Sequence, residues 1–220
     1  KEFAKKGIYN AVIISDVQTK GRGRFNRKWH SSRGGLWMSI LLRPKNVGNL
    51  QYLTFAAAVA VVNSINKIAN LKTNIKWPND VHHKGKKLCG ILTEGIFGKE
   101  NYAAVGIGLN VNQAKFSNDI KNIAISLKKI KKKTVSIDRL AKAIIKEFLK
   151  LYNYYNKNKL QKILVLWKKH CDTIGKNIDV LTKKGKFSGK ATGVDDECML
   201  VVRTNNKTIK ITEGDVSIRY

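Results

Sequence analysis

Residues 18–29, QTKGRGRFNRKW, follow a short apolar run at residues 11–15 that is typical of a buried strand. Gly21 and Gly23 would allow the backbone to lie close to a ligand, because glycine has no side chain in the way. The spacing G-x-x-x-x-G-K-[ST] is absent and no helix pattern follows, which disfavours a strand-to-helix phosphate loop. The segment therefore predicts a glycine-rich loop that leaves the end of a strand.

The side chains of this loop are suited to an anionic ligand. Arg22, Arg24 and Arg27 can donate forked hydrogen bonds to phosphate oxygens, and their charge is permanent. Trp29 adds a flat face for a base or a ring. We interpret the segment as a loop that closes over a nucleotide phosphate. A solvated basic loop without a ligand is the alternative.

A second segment, KWPND at residues 76–80, ends another strand candidate. Lys76 at the strand terminus could neutralise both a carboxylate and a phosphate. Asn79 and Asp80 could serve the same site, or they could be turn formers with no further role. The residues alone leave both readings open.

Two further segments carry candidate ligand contacts. In KKLCGIL at residues 86–92, Lys87 is a second candidate cation and Gly90 permits close backbone approach. In GIGLNVN at residues 106–112, paired glycines within a strand indicate a ligand against the backbone, and Asn110 could hydrogen-bond a base edge. A plain β-bulge is the alternative for the glycine pair.

The remaining pattern predicts an α+β chain in two parts. A domain at residues 1–172 contains helices and a meander of three strands, and a small β-barrel module at residues 173–220 contains short strands at tight spacing. The predicted helices are 53–68, about 137–156 after a Ser136 cap, and 160–170. The predicted strands are 11–15, 36–42, 74–77, 87–97, 102–111, 177–181, 187–194, 199–204 and 208–211, with turns at 83–85, 98–101, 184–185 and 205–206.

Composition restricts the environment and the partners. The chain has 43 Lys+Arg against 15 Asp+Glu, a net charge of +28, which makes polyanions plausible partners. Three widely spaced cysteines encode neither a disulfide framework nor a zinc site, and we expect no bound structural metal. The longest apolar run, residues 55–62, is far shorter than the roughly 20 residues that a membrane span needs. We expect a cytoplasmic protein with no membrane partner.

Together, the four segments resemble the biotin protein ligases, in the family's order and at compatible separations. The resemblance covers nearly the whole chain, because residues 214–217 (GDVS) look like the family's closing strand. It implies a mixed sheet flanked by helices, related to class II aminoacyl-tRNA synthetases and lipoate ligases, followed by an SH3-like barrel. It also implies two reactions: biotin and ATP form biotinyl-5′-adenylate, and an acceptor lysine then takes the biotinyl group.

The resemblance assigns roles to the first segment. Gln18 would bond the biotin ring system, and the loop at residues 21–24 would wrap the adenylate. Arg22 and Arg24 would hold carboxylate and phosphate oxygens, and Trp29 would pack on the adenosine side.

It also assigns roles to the later segments. Lys76 would lie between the biotin carboxylate and the α-phosphate, and Lys87 would stabilise the phosphate charge. Asp80 would orient Lys76 or assist acyl transfer, Gly90 would line the adenylate site, and Asn110 would bond the adenine edge. Mg²⁺ would accompany the pyrophosphate.

The implied partners are a biotin carboxyl carrier protein or domain as acceptor and a second copy in a homodimer. Nothing before Gln18 matches the family's Ser/Thr-Thr-Asn element, so the chain is expected to begin inside the domain. It has no room for the DNA-binding winged helix of bifunctional members, which favours the monofunctional enzyme and no DNA partner.

Two other functions remain as alternatives. A lipoate or octanoate ligase of the same fold class would activate another acid. A basic nucleic-acid-binding module is suggested by the net charge and by the lysine cluster at residues 128–133, in a predicted loop.

Overall fold

The computed structural model describes residues 3, 6–97, 101–182 and 185–219, which form two sheets and four α-helices. The strands of the first sheet are β1 (Ala11–Ser15), β2 (Leu36–Leu42), β3 (Asn74–Lys76), β4 (Asp80–His83), β5 (Lys86–Ile96) and β6 (Tyr102–Leu109). Their order across the sheet is β1-β2-β6-β5-β4-β3, and every neighbouring pair is antiparallel. The α+β class is confirmed.

Helix α1 (Gln51–Ala69) lies on this sheet. Its alanines favour a helix, which ends where Asn70 adopts a left-handed conformation with φ of 44°. The helix is long and apolar enough to cross a membrane, with a mean hydropathy of 1.3. However, 72% of that window is buried within the fold, as in any core helix, and Phe55 stacks on Trp167 at 4.1 Å between ring centroids.

Three further helices follow: α2 (Leu127–Lys131), α3 (Ile137–Asn156) and α4 (Leu160–His170). The Ser136 hydroxyl accepts a hydrogen bond from the Arg139 amide, which confirms the predicted cap of α3. The predicted loop at residues 128–133 is wrong in part, because Lys128, Lys129 and Lys131 lie on α2. A five-residue helix is too short to leave a readable period in the sequence.

The second sheet is antiparallel and contains five strands. They are β7 (Asn177–Thr182), β8 (Gly185–Val194), β9 (Leu200–Arg203), β10 (Thr208–Ile211) and β11 (Asp215–Ile218). The order is β10-β9-β8-β7-β11, with a β-bulge between Ala191 and Gly193. We call residues 173–219 the C-terminal module. Each of the four predicted strands of this region is present, and GDVS does form the closing strand.

Buried contacts join the C-terminal module to the first sheet through Trp77. The Trp77 indole N–H donates to the Cys198 carbonyl at 3.0 Å, and the Trp77 amide donates to the Thr173 hydroxyl at 3.0 Å. The Tyr52 hydroxyl at the start of α1 donates to the Asp196 carbonyl at 2.7 Å. The two Trp77 bonds fix the β3–β4 turn against the module, and the Tyr52 bond fixes the start of α1.

The meander has one strand more than the sequence predicted. Strand β4 begins directly after a turn at residues 77–79, so Asp80 is a strand residue rather than a turn residue. β4 has only four residues and includes two histidines, a composition with a weak strand signal. Two predictions fall partly outside the described residues: the turn at 98–101 and the turn at 184–185.

Candidate active site

A cavity of about 610 Å³ opens on one face of the first sheet. Strands β2, β5 and β6 form one side, residues 18–30 cover it, residues 120–124 border it, and the module contributes Asp215. Most of the residues predicted for the site line this cavity: Gln18, Arg22, Gly23, Arg24, Trp29, Asp80, Lys87, Gly90 and Asn110. Gly21 and Lys76 were also predicted but are not among the lining residues.

The loop predicted at residues 18–29 forms a hairpin in the structure, which we call the cationic hairpin (residues 18–31). Backbone hydrogen bonds close it: the Trp29 amide donates to the Gly21 carbonyl at 3.0 Å, and the Gly23 amide donates to the Arg27 carbonyl at 2.7 Å. A Cβ on Gly21 would lie 2.4 Å from the Trp29 carbonyl oxygen. Gly21 is therefore needed for the hairpin's own packing, whereas the sequence interpretation assigned it to ligand approach.

The glycines of the sheet make room for the Trp29 indole. A Cβ on Gly108 would lie 2.4 Å from Trp29 Nε1, and one on Gly90 would lie 3.1 Å from Trp29 Cζ3. The pairing of β6 with β2 and β5 is regular through Gly106 and Gly108, so the alternative of a β-bulge is wrong. The indole N–H is buried and has no hydrogen-bond partner among the described residues, which leaves it to a ligand or water.

Lys87 is the cation held on the sheet side of the cavity. Its ammonium lies 2.7 Å from the Asp80 carboxylate and 5.2 Å from the centroid of the Trp29 ring. Asp80 thus orients Lys87 by direct contact, whereas the resemblance assigned it to Lys76. The pair fixes an amine over the tryptophan ring, where it can meet an anion.

Lys76 lies opposite Asp80 in the register of β3 and β4, off the cavity wall. Burial lowers the pKa of its ammonium, Asp80 opposes that change, and the nearby charge of Lys87 lowers the pKa further. The structure therefore groups the two lysines around one carboxylate, with Lys87 facing the cavity.

Arg24 reaches from the cationic hairpin to the turn at residues 77–79. Its Nη1 donates to Asn79 Oδ1 at 3.3 Å, while the Asn79 amide donates to the Ile91 carbonyl at 2.8 Å. Burial lowers the pKa of the Arg24 guanidinium, and the carboxylates of Asp80 and Asp215 oppose that change. Asn79 therefore keeps its role in the turn and also holds an arginine at the cavity.

The polar ends of the cavity are held by neighbouring side chains. Asn110 is 4% exposed, and its Oδ1 accepts from Gln113 Nε2 at 3.3 Å, which fixes the orientation of the Asn110 amide group. Gln18 Oε1 accepts from the Ser31 hydroxyl at 2.6 Å. These contacts orient the side chains predicted to bond the adenine and the biotin ring.

Comparison of the chain with known proteins identifies its family. Residues 6–112 match the model of the Biotin/lipoate A/B protein ligase family, and residues 173–219 match that of the Biotin protein ligase C terminal domain. The biotin--[acetyl-CoA-carboxylase] ligase of Mycobacterium tuberculosis is 30% identical over 217 residues, which cover 95% of this chain and 79% of that protein. The chain belongs to the biotin protein ligase family.

The chain is also similar to a second curated relative and to a solved structure. The bifunctional ligase/repressor BirA of Bacillus subtilis is 40% identical over 94% of this chain, which spans 66% of that protein's length. The structure of biotin protein ligase from Aquifex aeolicus in complex with biotin and ATP superposes with a TM-score of 0.86 at 31% identity. The superposition covers 96% of this chain and 90% of the other.

Sequence reasoning missed two carboxylates that line the cavity, Glu94 and Asp215. Asp215 of β11 lines it and forms a two-bond ion pair with Arg27 of the cationic hairpin. The partners are 188 residues apart. The sequence holds no local signal for such a contact, although the family resemblance did imply that Asp215 lies in the closing strand.

Few side chains of the cavity could bind a metal ion directly. No group of three or more His, Cys, Asp or Glu side chains that could hold a metal ion occurs within the described ranges. The carboxylates that line the cavity are Asp80, Glu94 and Asp215, and Asp80 and Asp215 are each paired with a cation. This donor set suits Mg²⁺ carried mainly by substrate phosphates, which is how proteins commonly hold that ion.

Proposed function

We propose that this chain activates biotin with ATP and transfers it to a lysine of an acceptor protein. The observation that carries the proposal is the set of oriented cations on the cavity: Lys87 fixed by Asp80, and Arg24 fixed by Asn79. Joining a carboxylate to an α-phosphate brings two anions together, so it needs positive charge that is placed before the substrates arrive.

The cavity divides naturally into two halves along β6. Ala104, Gly106, Gly108 and Asn110 alternate along one face of the strand, a span of roughly 20 Å at about 3.3 Å per residue. By register, Leu41 lies opposite Ala104, and Ser39 and Ile13 are level with Gly106, so the Ala104 end suits an apolar acid. The Asn110 end suits adenine, because Asn110 offers a hydrogen bond to a base edge.

In the first step, a carboxylate oxygen of biotin attacks the α-phosphorus, and the bond to pyrophosphate breaks. Lys87 and Arg24 offset the charge that develops on the α-phosphate oxygens, and Trp29 packs against the adenosine. Mg²⁺ would neutralise the departing pyrophosphate. In the second step, the acceptor amine attacks the acyl carbon and AMP departs, so no covalent intermediate on the enzyme is required.

The test is biotin-dependent exchange of labelled pyrophosphate into ATP. We expect exchange with biotin but not with lipoate or octanoate, and loss of exchange in Lys87→Ala. Lys133→Ala, at an exposed lysine outside the cavity, is the matched control and should retain exchange. Exchange with lipoate alone would assign the chain to the alternative substrate. No exchange with any of the acids from folded protein would refute the proposal.

The partners belong to the same proposal. The acceptor is a biotin carboxyl carrier protein or domain in the cytoplasm, and its biotinylation can be followed by mass spectrometry. The chain forms a homodimer through β1, an edge strand whose Val12 and Ile14 are 39% and 50% exposed. Analytical ultracentrifugation should show a dimer that Ile14→Lys disrupts, and a monomer at all concentrations would exclude this interface.

A further inference from the structure

The tip of the cationic hairpin has little apolar support. Residues 24–26 form a 3₁₀ turn with no buried residue, and Phe25 is 44% exposed. The hairpin also places Lys20, Arg22, Arg24, Arg27 and Lys28 within nine residues, so it repels itself. A segment with exposed side chains and like charges needs outside contacts to stay closed over a cavity.

Two side-chain links join this tip to the rest of the described chain. Arg24 donates to Asn79 at 3.3 Å. Arg27 meets Asp215 with both of its terminal nitrogens, and the Nη1–Oδ1 distance is 2.9 Å. The second link is the stronger, because it is bidentate and both groups are charged. It also crosses from the first domain to the C-terminal module.

We infer that Asp215 is a positioning residue, which holds the cationic hairpin closed through Arg27 and so retains the adenylate between the two reaction steps. Asp215 is itself held in place by β11, which pairs with β7 in regular register. The C-terminal module therefore acts on the reaction through one carboxylate. This inference rests on the proposed function, because it concerns the intermediate of that reaction.

Both partners are accessible enough for substitution without unfolding the protein. The side chains of Arg27 and Asp215 are 62% and 36% exposed, and neither supports the apolar core. A matched control exists in the same module, where Arg219 forms a two-bond pair with Asp179 across neighbouring strands of the second sheet. The two pairs have the same chemistry but differ in what they connect.

The experiment uses the full chain and two measurements. The first is the rate at which biotinyl-5′-AMP leaves the enzyme, followed by the change in tryptophan fluorescence. The second is amide hydrogen exchange of residues 19–29 without ligand, where the Gly23 and Trp29 amides are hydrogen-bonded across the hairpin. In Arg27→Gln and Asp215→Asn, both rates should rise by about threefold to fivefold, as expected for a well-aligned exposed pair.

The decisive variants test whether the interaction between Arg27 and Asp215 matters, and not only the presence of each side chain. The double variant Arg27→Gln/Asp215→Asn should be no worse than either single change, and the exchanged pair Arg27→Asp/Asp215→Arg should recover most of the loss. Arg219→Gln should leave both rates unchanged. An exchanged pair as impaired as the single variants, or an Arg219→Gln effect of equal size, would overturn the inference.

The two proposals fail in different ways. Absence of biotin-dependent pyrophosphate exchange in the unaltered protein would remove the proposed function, while hydrogen exchange would still show whether the pair closes the hairpin. Normal adenylate formation with no change in either rate among the variants would remove the role of Asp215 alone.

Discussion

The cationic hairpin and the sheet side of the cavity are built in opposite ways. The sheet side consists of Gly90, Gly106, Gly108 and Asn110 on regular strands whose pairing is continuous. The hairpin carries mostly exposed cationic side chains, with Arg24 and Trp29 half-buried, and a few hydrogen bonds and ion pairs join it to the rest of the protein. The difference indicates a division of labour: the sheet sets the shape of the cavity, and the hairpin supplies most of its charge.

Removing one charge from the hairpin should have the largest effect. We expect Arg24→Ala to lower the rate of pyrophosphate exchange by about 100-fold, as for the loss of one oriented group that stabilises developing charge. Arg22→Ala should cost less, because Arg22 lines the cavity but is exposed to solvent. Equal losses in the two variants would mean that total charge matters more than orientation.

A methyl group on the sheet side should have the next largest effect. In Gly108→Ala the new Cβ would lie 2.4 Å from Trp29 Nε1, which must displace the indole or the strand. Overpacking of this kind costs about 1–3 kcal/mol, so the KM for ATP should rise at least about fivefold.

The control for Gly108→Ala is another glycine on a strand. A Cβ on Gly193 of β8 would meet no heavy atom within 4 Å beyond its chain neighbours, so Gly193→Ala should leave the KM for ATP unchanged. The fluorescence of Trp29 should shift in Gly108→Ala only. An unaltered KM in Gly108→Ala would show that Trp29 does not contribute to nucleotide binding.

The sheet side of the site could be predicted from the sequence more completely than the cationic hairpin. The glycine and asparagine positions of β5 and β6 could be predicted, because a strand with alternating small residues leaves a visible pattern. The hairpin arginines could be predicted as anion ligands from their type. Their partners could not: Asn79 resembled a turn former, and Asp215 is 188 residues from Arg27.

Helices and strands could be predicted from the sequence where they are long and could not where they are short. Helix α3 was predicted correctly, since its buried Leu140, Ile144, Phe148, Leu151 and Tyr155 repeat at helical spacing along a helix of 20 residues. Strand β4 and helix α2 were missed, since four or five residues with histidines or lysines do not establish a period.

A smaller effect is expected from a substitution at Asn110, on the sheet side of the cavity. Asn110→Ala removes one hydrogen bond to the base and leaves the cations in place, so the KM for ATP should rise by about threefold to tenfold. The KM for biotin should stay the same, because the Ala104 half of the cavity is unchanged. A larger effect on biotin than on ATP would reverse the proposed orientation of the two substrates.

The smallest effect should come from replacing the lysines of α2. These variants test whether activity depends on the total number of positive charges or on their position at the cavity. Lys128, Lys129 and Lys131 lie on this helix, and none of them lines the cavity. The Ser126 hydroxyl caps the helix through the Lys129 backbone amide, so replacing the side chains by glutamine keeps the cap. The triple variant should change the free energy of unfolding by no more than about 0.5 kcal/mol per site, measured by urea denaturation.

The same triple variant should exchange pyrophosphate at nearly the unaltered rate at moderate salt, because none of the three lysines lines the cavity and salt weakens the attraction between charges that face solvent. It removes three positive charges, whereas Arg24→Ala removes one. A loss of activity in the triple variant as large as that expected for Arg24→Ala would mean that the total net charge of +28 attracts the substrates. The orientation of individual cations at the cavity would then not explain catalysis. A rate close to that of the unaltered protein would instead show that catalysis depends on the cations held by Asp80 and Asn79.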